Sequence, residues 1–234
     1  WEMSLTYGSQ IEDHHAARRD AGMFDVSHMR PVDLEGADTR PFLRALIANN
    51  VDKLTQPGKA LYTCMLNESG GVIDDLIVYF MREDWFRVVV NASTADKDIA
   101  WMRQVAVERR FSLRITPRAD LAIIAVQGPN APAKFWQARP STRDATEKLN
   151  AFFAAETGDL FIARTGYTGE DGFEIILPAQ NAAQLWSELK AAGVAEAGLV
   201  GGEEDVADLF ELVEEHLDGG RGALEPLAEP GLLA

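Results

Sequence analysis

The chain has 234 residues, enough for one large domain or two small ones around a substantial core. Its composition, 47% hydrophobic, 25% charged and 9% aromatic, is that of a soluble globular protein, but 37 Asp and Glu against 22 Lys and Arg leave a net charge of −15. That balance argues against nucleic acid or an anionic membrane as the partner, and the single cysteine, Cys64, excludes an internal disulfide framework and a zinc site built of cysteines.

No apolar run reaches the about 18 residues of a membrane span, and no basic segment leads into an apolar one, so a cytoplasmic chain is expected. The chain opens on Trp1 and reads as a piece of a longer protein. In chain order, residues 10–22 are expected to form a helix ending near Gly22, followed by an extended run through Val32, Asp33 and Leu34 to a turn at Glu35-Gly36. Asp38 and Thr39 then cap a helix with Phe42, Leu43, Leu46 and Ile47 on one face. The clearest strand signals are 61–66, 72–81 and 85–90, separated by turns at 67–71 and at Glu83-Asp84. Ser93-Thr94-Ala95-Asp96 has capping-box spacing and opens a helix to about Arg109, with Ile99, Met102, Val105 and Ala106 on one face. Strands are expected at 112–115 and 121–127, helices near 130–137 and 142–150, a hairpin over 160–177 and a helix at 180–192. Helices and strands mix without a regular βαβ alternation, so the expected class is α+β with mixed or antiparallel sheets.

The acidity is concentrated. Residues 201–234 hold ten acids and one base, leaving 27 acids and 21 bases in residues 1–200. Val206, Leu209, Phe210, Val213 and Leu217 recur at helical spacing there, so an acidic amphipathic helix is expected, stopping at Gly219-Gly220. It reads either as a solvated helix or as a dock for a basic partner.

Asp74 and Asp75 interrupt an apolar strand, and because side chains alternate across a sheet they must face opposite ways. Asp75 shares a face with Ile77 and Tyr79, and Asp74 shares one with Leu76, Val78 and Phe80. If the loop takes in Val72, Tyr62 lies opposite Ile77, Cys64 lies opposite Asp75, and the next hairpin brings Asn91 near Asp75. These acids read either as a ligand-facing centre or as structural carboxylates satisfied by turn amides or an arginine. Glu174 likewise enters an apolar strand, where it could accept from a paired N–H array such as the amino-pyrimidinone edge of a pterin, or face water at an edge. Met29 is as consistent with core as with a ligand contact, His28 with acid–base work or hydrogen-bonded structure. His14-His15 do not share a helix face and make a poor metal pair, and Cys64 reads as a small buried apolar residue.

Several long motifs occur together and in order: Tyr7-Gly8-Ser9-Gln10-Ile11, Gly22-Met23-Phe24-Asp25-Val26-Ser27-His28-Met29, Gly70-Gly71-Val72-Ile73-Asp74-Asp75-Leu76, Val126-Gln127-Gly128-Pro129 and the run from Thr165 to Glu174. In these, residues 1–200 resemble the aminomethyltransferase (T-protein) of the glycine cleavage system, truncated at both ends. The resemblance implies a folate-binding body assembled from about 1–32 and 118–200 around an inserted β-rich unit, 33–117, without the family's C-terminal barrel domain, and followed by a divergent acidic segment, 201–234. It implies transfer of an aminomethyl group from the lipoyl arm of H-protein to tetrahydrofolate, releasing ammonia and forming 5,10-methylenetetrahydrofolate, with no metal. Asp75 would be the key carboxylate; Met29, Tyr62, Ile77, Tyr79, Asn91 and Tyr167 would line the folate pocket, and Glu174 would hold the pterin. The family arginine expected after Leu199 has no counterpart here. An iron–sulfur-cluster assembly relative carries a cysteine near the 166–170 turn, which this chain lacks. The alternatives are a folate-binding module without catalysis and an inactive fragment of a folate-dependent dehydrogenase domain.

Overall fold

The computed structural model of the chain describes Ser4, residues 7–166 and residues 169–198. Tyr167 and the expected acidic helix before Gly219 lie outside the described residues.

The first helix, α1 (Gln10–Arg19), is capped by Ser9, whose hydroxyl accepts the Glu12 N–H at 3.2 Å. Its acids lie in the first turn and Arg18 and Arg19 in the last, as the helix dipole favours. It stops before Gly22, because Gly22 already opens strand β1 (Gly22–Asp25). After β1 the chain crosses into a second sheet. This sheet comprises β2 (Arg30–Glu35), β3 (Ala60–Leu66), β4 (Val72–Arg82), β5 (Trp85–Val90) and β6 (Arg114–Pro117), ordered β3-β4-β5-β2-β6 with every neighbour antiparallel. Helices α2 (Thr39–Leu46) and α3 (Ala95–Glu108) are laid between its strands in sequence. The chain then returns to the first sheet with β7 (Leu121–Gln127), α4 (Ala131–Ala138), the single turn α5 (Arg143–Thr146), β8 (Phe153–Thr157), β9 (Leu160–Arg164), β10 (Gly172–Pro178), α6 (Ala182–Ala191) and β11 (Ala195–Glu196). Its order is β11-β1-β7-β10-β9-β8, with β1 and β11 parallel and the other pairs antiparallel. The α+β class expected from the sequence holds, and among the described residues neither sheet closes into a barrel.

The alternation of side chains sorts the core into layers. Val32, Leu34, Leu76, Val78, Phe80 and Val88 turn to α2 and α3, which contribute Phe42, Leu43, Ile99 and Met102. Ile124, Val126, Phe173 and Ile175 turn to α4 and α6, which contribute Phe135, Leu185 and Leu189. Between the two sheets, Tyr79 and Val89 from one meet Ile123, Phe161 and Ile176 from the other. Helices therefore cover the outer face of each sheet while the inner faces meet. The inner layer is where a site can draw residues from both.

A charged pair is built into this frame. Asp33 and Arg87, each 5% exposed, face one another across β2 and β5 with two hydrogen bonds of 2.8 and 3.1 Å. Arg118 adds a third at 2.7 Å, and the Arg87 guanidinium lies 5.0 Å from the centre of the Phe161 ring. Burial alone would raise the Asp33 carboxyl; the two guanidiniums outweigh it and hold it below the usual carboxylate range.

Several local expectations are corrected. Asp38 does not cap α2; its carboxylate accepts the Ser112 N–H at 2.7 Å, tying the helix start to a later loop. The capping box expected from Ser93 to Asp96 is displaced by one residue: Thr94 stands at the N-cap of α3, makes no side-chain cap bond, and its hydroxyl donates to Asp74. The strand expected at 112–115 lies at Arg114–Pro117. The helix expected over 142–150 is one turn long, as the chain must reverse at Phe152, with a φ of 59°, to enter β8. β8 was not expected: its Ala-Ala-Glu centre has low strand propensity, and pairing with β9 across a turn at Gly158 makes the strand.

Candidate functional site

The β3-β4 register is the one expected, with Tyr62 opposite Ile77 and Cys64 opposite Asp75. Val72, placed in the loop by the sequence reading, pairs instead with Leu66, and a bulge beside Met65 absorbs the difference before the acids are reached. On the other side Leu76 pairs with Val90, so Asn91 stands one step beyond, level with Asp75. Because Leu76, Val78 and Phe80 belong to the helix-covered core, Asp74 projects towards α3. Ile77 and Tyr79 belong to the layer between the sheets, so Asp75 projects there.

The two carboxylates are gripped by one amide. Asn91 Nδ2 donates to Asp75 Oδ1 at 2.7 Å and to Asp74 Oδ1 at 2.9 Å. The Tyr62 hydroxyl donates to Asp75 Oδ2, the Thr94 hydroxyl donates to Asp74 Oδ2, and the Asp75 backbone N–H donates to Asp74 Oδ1 at 2.9 Å. Burial works to raise the Asp74 carboxyl, but the donors from Thr94 and Asn91 prevail and hold it at about 2. Both oxygens of Asp75 thus accept from fixed donors supplied by the neighbouring strand and by the end of β5. The carboxylate has one direction. Cys64 stands beside it half-buried, and burial together with the Asp75 charge keeps the thiol protonated.

Glu174 comes from the opposing sheet. Its neighbours in β10, Phe173 and Ile175, face α4 and α6, so Glu174 faces inward beside Ala125 and Ala163. Burial raises its carboxyl above the usual range. Burial also raises the Tyr79 phenol well above its ordinary range, and the Glu174 charge adds to the effect. Tyr79 is 1% exposed and sets its ring edge-on to Phe161 with 5.0 Å between centres. Met29 and Ile77 pack half-buried in the same layer. Tyr62, Asp75 and Asn91 are therefore joined directly, Met29, Ile77 and Tyr79 form the apolar layer alongside, Glu174 enters from across the layer, and Tyr167 lies outside the described residues.

The sequence reading missed three side chains. Thr94 was read only as an interior position of the Ser93–Asp96 capping box, Asp98 was passed over although it falls on the buried stripe of Ala95, Ile99 and Met102, and Thr165 escaped notice beside Glu174. His28 carries a buried Nδ1 without a partner, and burial lowers its pKa against the nearby Asp25 charge. Among the described residues no group of three or more His, Cys, Asp and Glu side chains is arranged to hold a metal ion, and no helix is long and apolar enough to cross a membrane. Two shallow surface depressions, of about 380 and 340 Å³, lie away from Asp75, beside Trp85 and Trp101 respectively.

Known proteins share this arrangement of sequence and fold. The aminomethyltransferase of Nitrosomonas eutropha is 64% identical over 199 residues, covering 85% of this chain and 55% of that protein. That of Bordetella petrii is 62% identical over 200 residues with the same coverage. The chain spans about half the length of these curated relatives. The match to the aminomethyltransferase of Bordetella avium, 53% identical, covers 98% of this chain and 70% of that protein, and so reaches into the acidic segment. Among solved structures, the glycine cleavage system aminomethyltransferase T of Bartonella henselae superposes with a TM-score of 0.77 at 34% identity, covering 88% of this chain and 55% of that one. A heterotetrameric sarcosine oxidase from Corynebacterium sp. U-96, at 14% identity and a TM-score of 0.54, shares the fold. Residues 1–203 match the family model described as the GCVT N-terminal domain, and the chain belongs to that family.

Proposed function

We propose that the chain provides the folate-binding and reacting centre of a tetrahydrofolate-dependent aminomethyl transfer in glycine cleavage. The donor is the aminomethylated lipoyl arm of H-protein, and the products are ammonia and 5,10-methylenetetrahydrofolate. The observation that carries this reading is the Asp75 carboxylate, aimed into the layer between two sheets and fixed by Tyr62 and Asn91, in a chain whose relatives are named aminomethyltransferases.

The chemistry explains why such a carboxylate is useful. When the carbon–sulfur bond of the donor breaks, its electron pair leaves on sulfur and the carbon becomes a cationic methylene iminium. A folate nitrogen adds to that carbon; attack by the second folate nitrogen then expels ammonia, the protons of the two nitrogens passing to ammonia and the thiolate. A carboxylate held in place by a tyrosine hydroxyl and an amide stabilises the cation without having to reorganise. It also orients the attacking nitrogen. Glu174, with its proton affinity raised by burial, suits the N–H edge of the pterin, and Met29, Ile77 and Tyr79 supply apolar contact. We assign the folate-binding body to residues 1–32 and 118–200 around 33–117. The division of the strands supports this, since the first sheet draws on 22–25 and 121–196 and the second on 30–117.

Calorimetric titration of the chain with tetrahydrofolate, followed by an ammonia-release assay with aminomethylated H-protein, tests the proposal. Binding and turnover together support it. Binding without turnover assigns the chain a binding role alone, and absence of both removes the reading.

A further inference from the structure

Asp98, in the first turn of α3, has a side chain 0% exposed, and neither carboxylate oxygen has a donor. The groups around it do not resolve this. Thr94 also lies close to Asp98, but it has one hydroxyl proton, and that proton is directed at Asp74. Lys97, on the same helix, is mostly exposed; its ammonium sits 3.9 Å from Asp98 Oδ1 and donates instead to the Ile73 carbonyl at 2.9 Å. The elements packed against α3 from the other sides, α2 and β6, bring Phe42, Leu43, Leu46 and Ile115, all apolar. What remains is Asp74 on β4, within hydrogen-bonding reach of Asp98.

A buried carboxylate facing a second, half-buried one is repelled by it unless a proton lies between them. Asp74 already accepts from Asn91, Thr94 and the Asp75 backbone, so it is the acceptor and the proton resides on Asp98. Burial and the facing Asp74 carboxylate agree in direction, pushing the Asp98 carboxyl up to about 6 while Asp74 is held low.

We propose that Asp98 is a positioning residue for the Asp75 centre: protonated, it donates to Asp74 and so holds the Asn91 amide that bridges Asp74 and Asp75. Loss of the proton sets the enclosed Asp98 carboxylate against the half-buried Asp74 carboxylate, and the bridge shifts. The inference rests on the reading of Asp75 as the reacting carboxylate, and it ties the geometry of that carboxylate to pH through a residue that does not touch substrate.

The test follows the side-chain amide of Asn91 by proton–nitrogen correlation spectra of the whole chain between pH 4.5 and 8. In the wild type the Asn91 amide signals should move in one step centred near pH 6, as Asp98 ionises. Asp98→Asn, which keeps a donor at every pH, should leave them at their low-pH position throughout. Asp98→Leu, neutral but without a donor, should also abolish the step while displacing the signals from that position. A wild-type step that survives in Asp98→Asn, or a wild type with no step, overturns the proposal. A variant that fails to fold does not decide the matter, because the wild-type step and the other variant still do. Calorimetry of the wild type with tetrahydrofolate separates the two readings: no binding with the step intact removes the folate role and leaves the Asp98–Asp74 proton in place.

Discussion

Asn91→Leu removes the one amide that holds both carboxylates, and its effect follows from the geometry. Two charge-assisted hydrogen bonds, of 2.7 and 2.9 Å, are lost, and the leucine offers nothing in exchange. Hydrogen bonds to charged groups contribute about 1.5–3 kcal/mol each, and partial exposure of both carboxylates places the total near the lower end, about 3 kcal/mol. For a domain of this size that corresponds to a melting temperature lower by roughly 6–12 °C. The effect depends on pH with a definite sign. Asp74 is held at about 2, below the 3.8 of an unperturbed carboxyl, so its contribution is present above pH ~4 and is lost as pH falls towards 2. Asn91→Leu weakens that depression, and its acid limb should be shallower than that of the wild type. Urea unfolding of the wild type, Asn91→Leu, Asp75→Asn and the double variant at pH 7 and pH 3 gives both the magnitude and the coupling. A cost below about 1 kcal/mol, or strictly additive Asn91 and Asp75 effects, refutes the bridging role.

Arg87→Leu should destabilise the fold by roughly 3–5 kcal/mol, because Asp33 keeps its buried charge with Arg118 as the remaining partner, whereas the double variant Asp33→Leu/Arg87→Leu should recover much of the loss in the same urea assay. Gly128→Ala should abolish stable folding, since with φ at 133° its Cβ would lie 2.4 Å from the Ala17 carbonyl oxygen and 2.5 Å from that of Asp20. Gly158→Ala, with a φ of 61° and nothing within 4 Å, should cost only about 1 kcal/mol, so comparing the two melting curves separates backbone strain from collision.

The hairpin through 60–90 was legible because its strands are long and apolar on alternating residues, so register and faces followed once one cross-strand pair was set. The same alternation grouped Asp75 with Ile77 and Tyr79, but that this face is the inward one, and that Glu174 stands on the central strand β10 and not at an edge, follows only from how the sheets assemble. What escaped the sequence depends on contacts between distant segments. Thr94 stands at the N-cap position of α3, yet its hydroxyl donates to Asp74, a partner 20 residues away that the local pattern does not disclose. Asp33 and Arg87 lie 54 residues apart and are joined only when β2 pairs with β5; each charge interrupts an apolar strand, and the register of the two strands sets them face to face. The edge strand β8 has no hydrophobic pattern of its own and exists because β9 offers it a partner.

The proposed function rests on the charge of Asp75, and Asp75→Asn measures what that charge contributes. The amide keeps the size of the side chain, so the variant should fold and bind tetrahydrofolate as the wild type does. Without the charge to stabilise the iminium carbon, ammonia release from aminomethylated H-protein should fall by roughly 100-fold or more. Turnover within a few-fold of the wild type, at unchanged tetrahydrofolate affinity, would contradict the role given to Asp75.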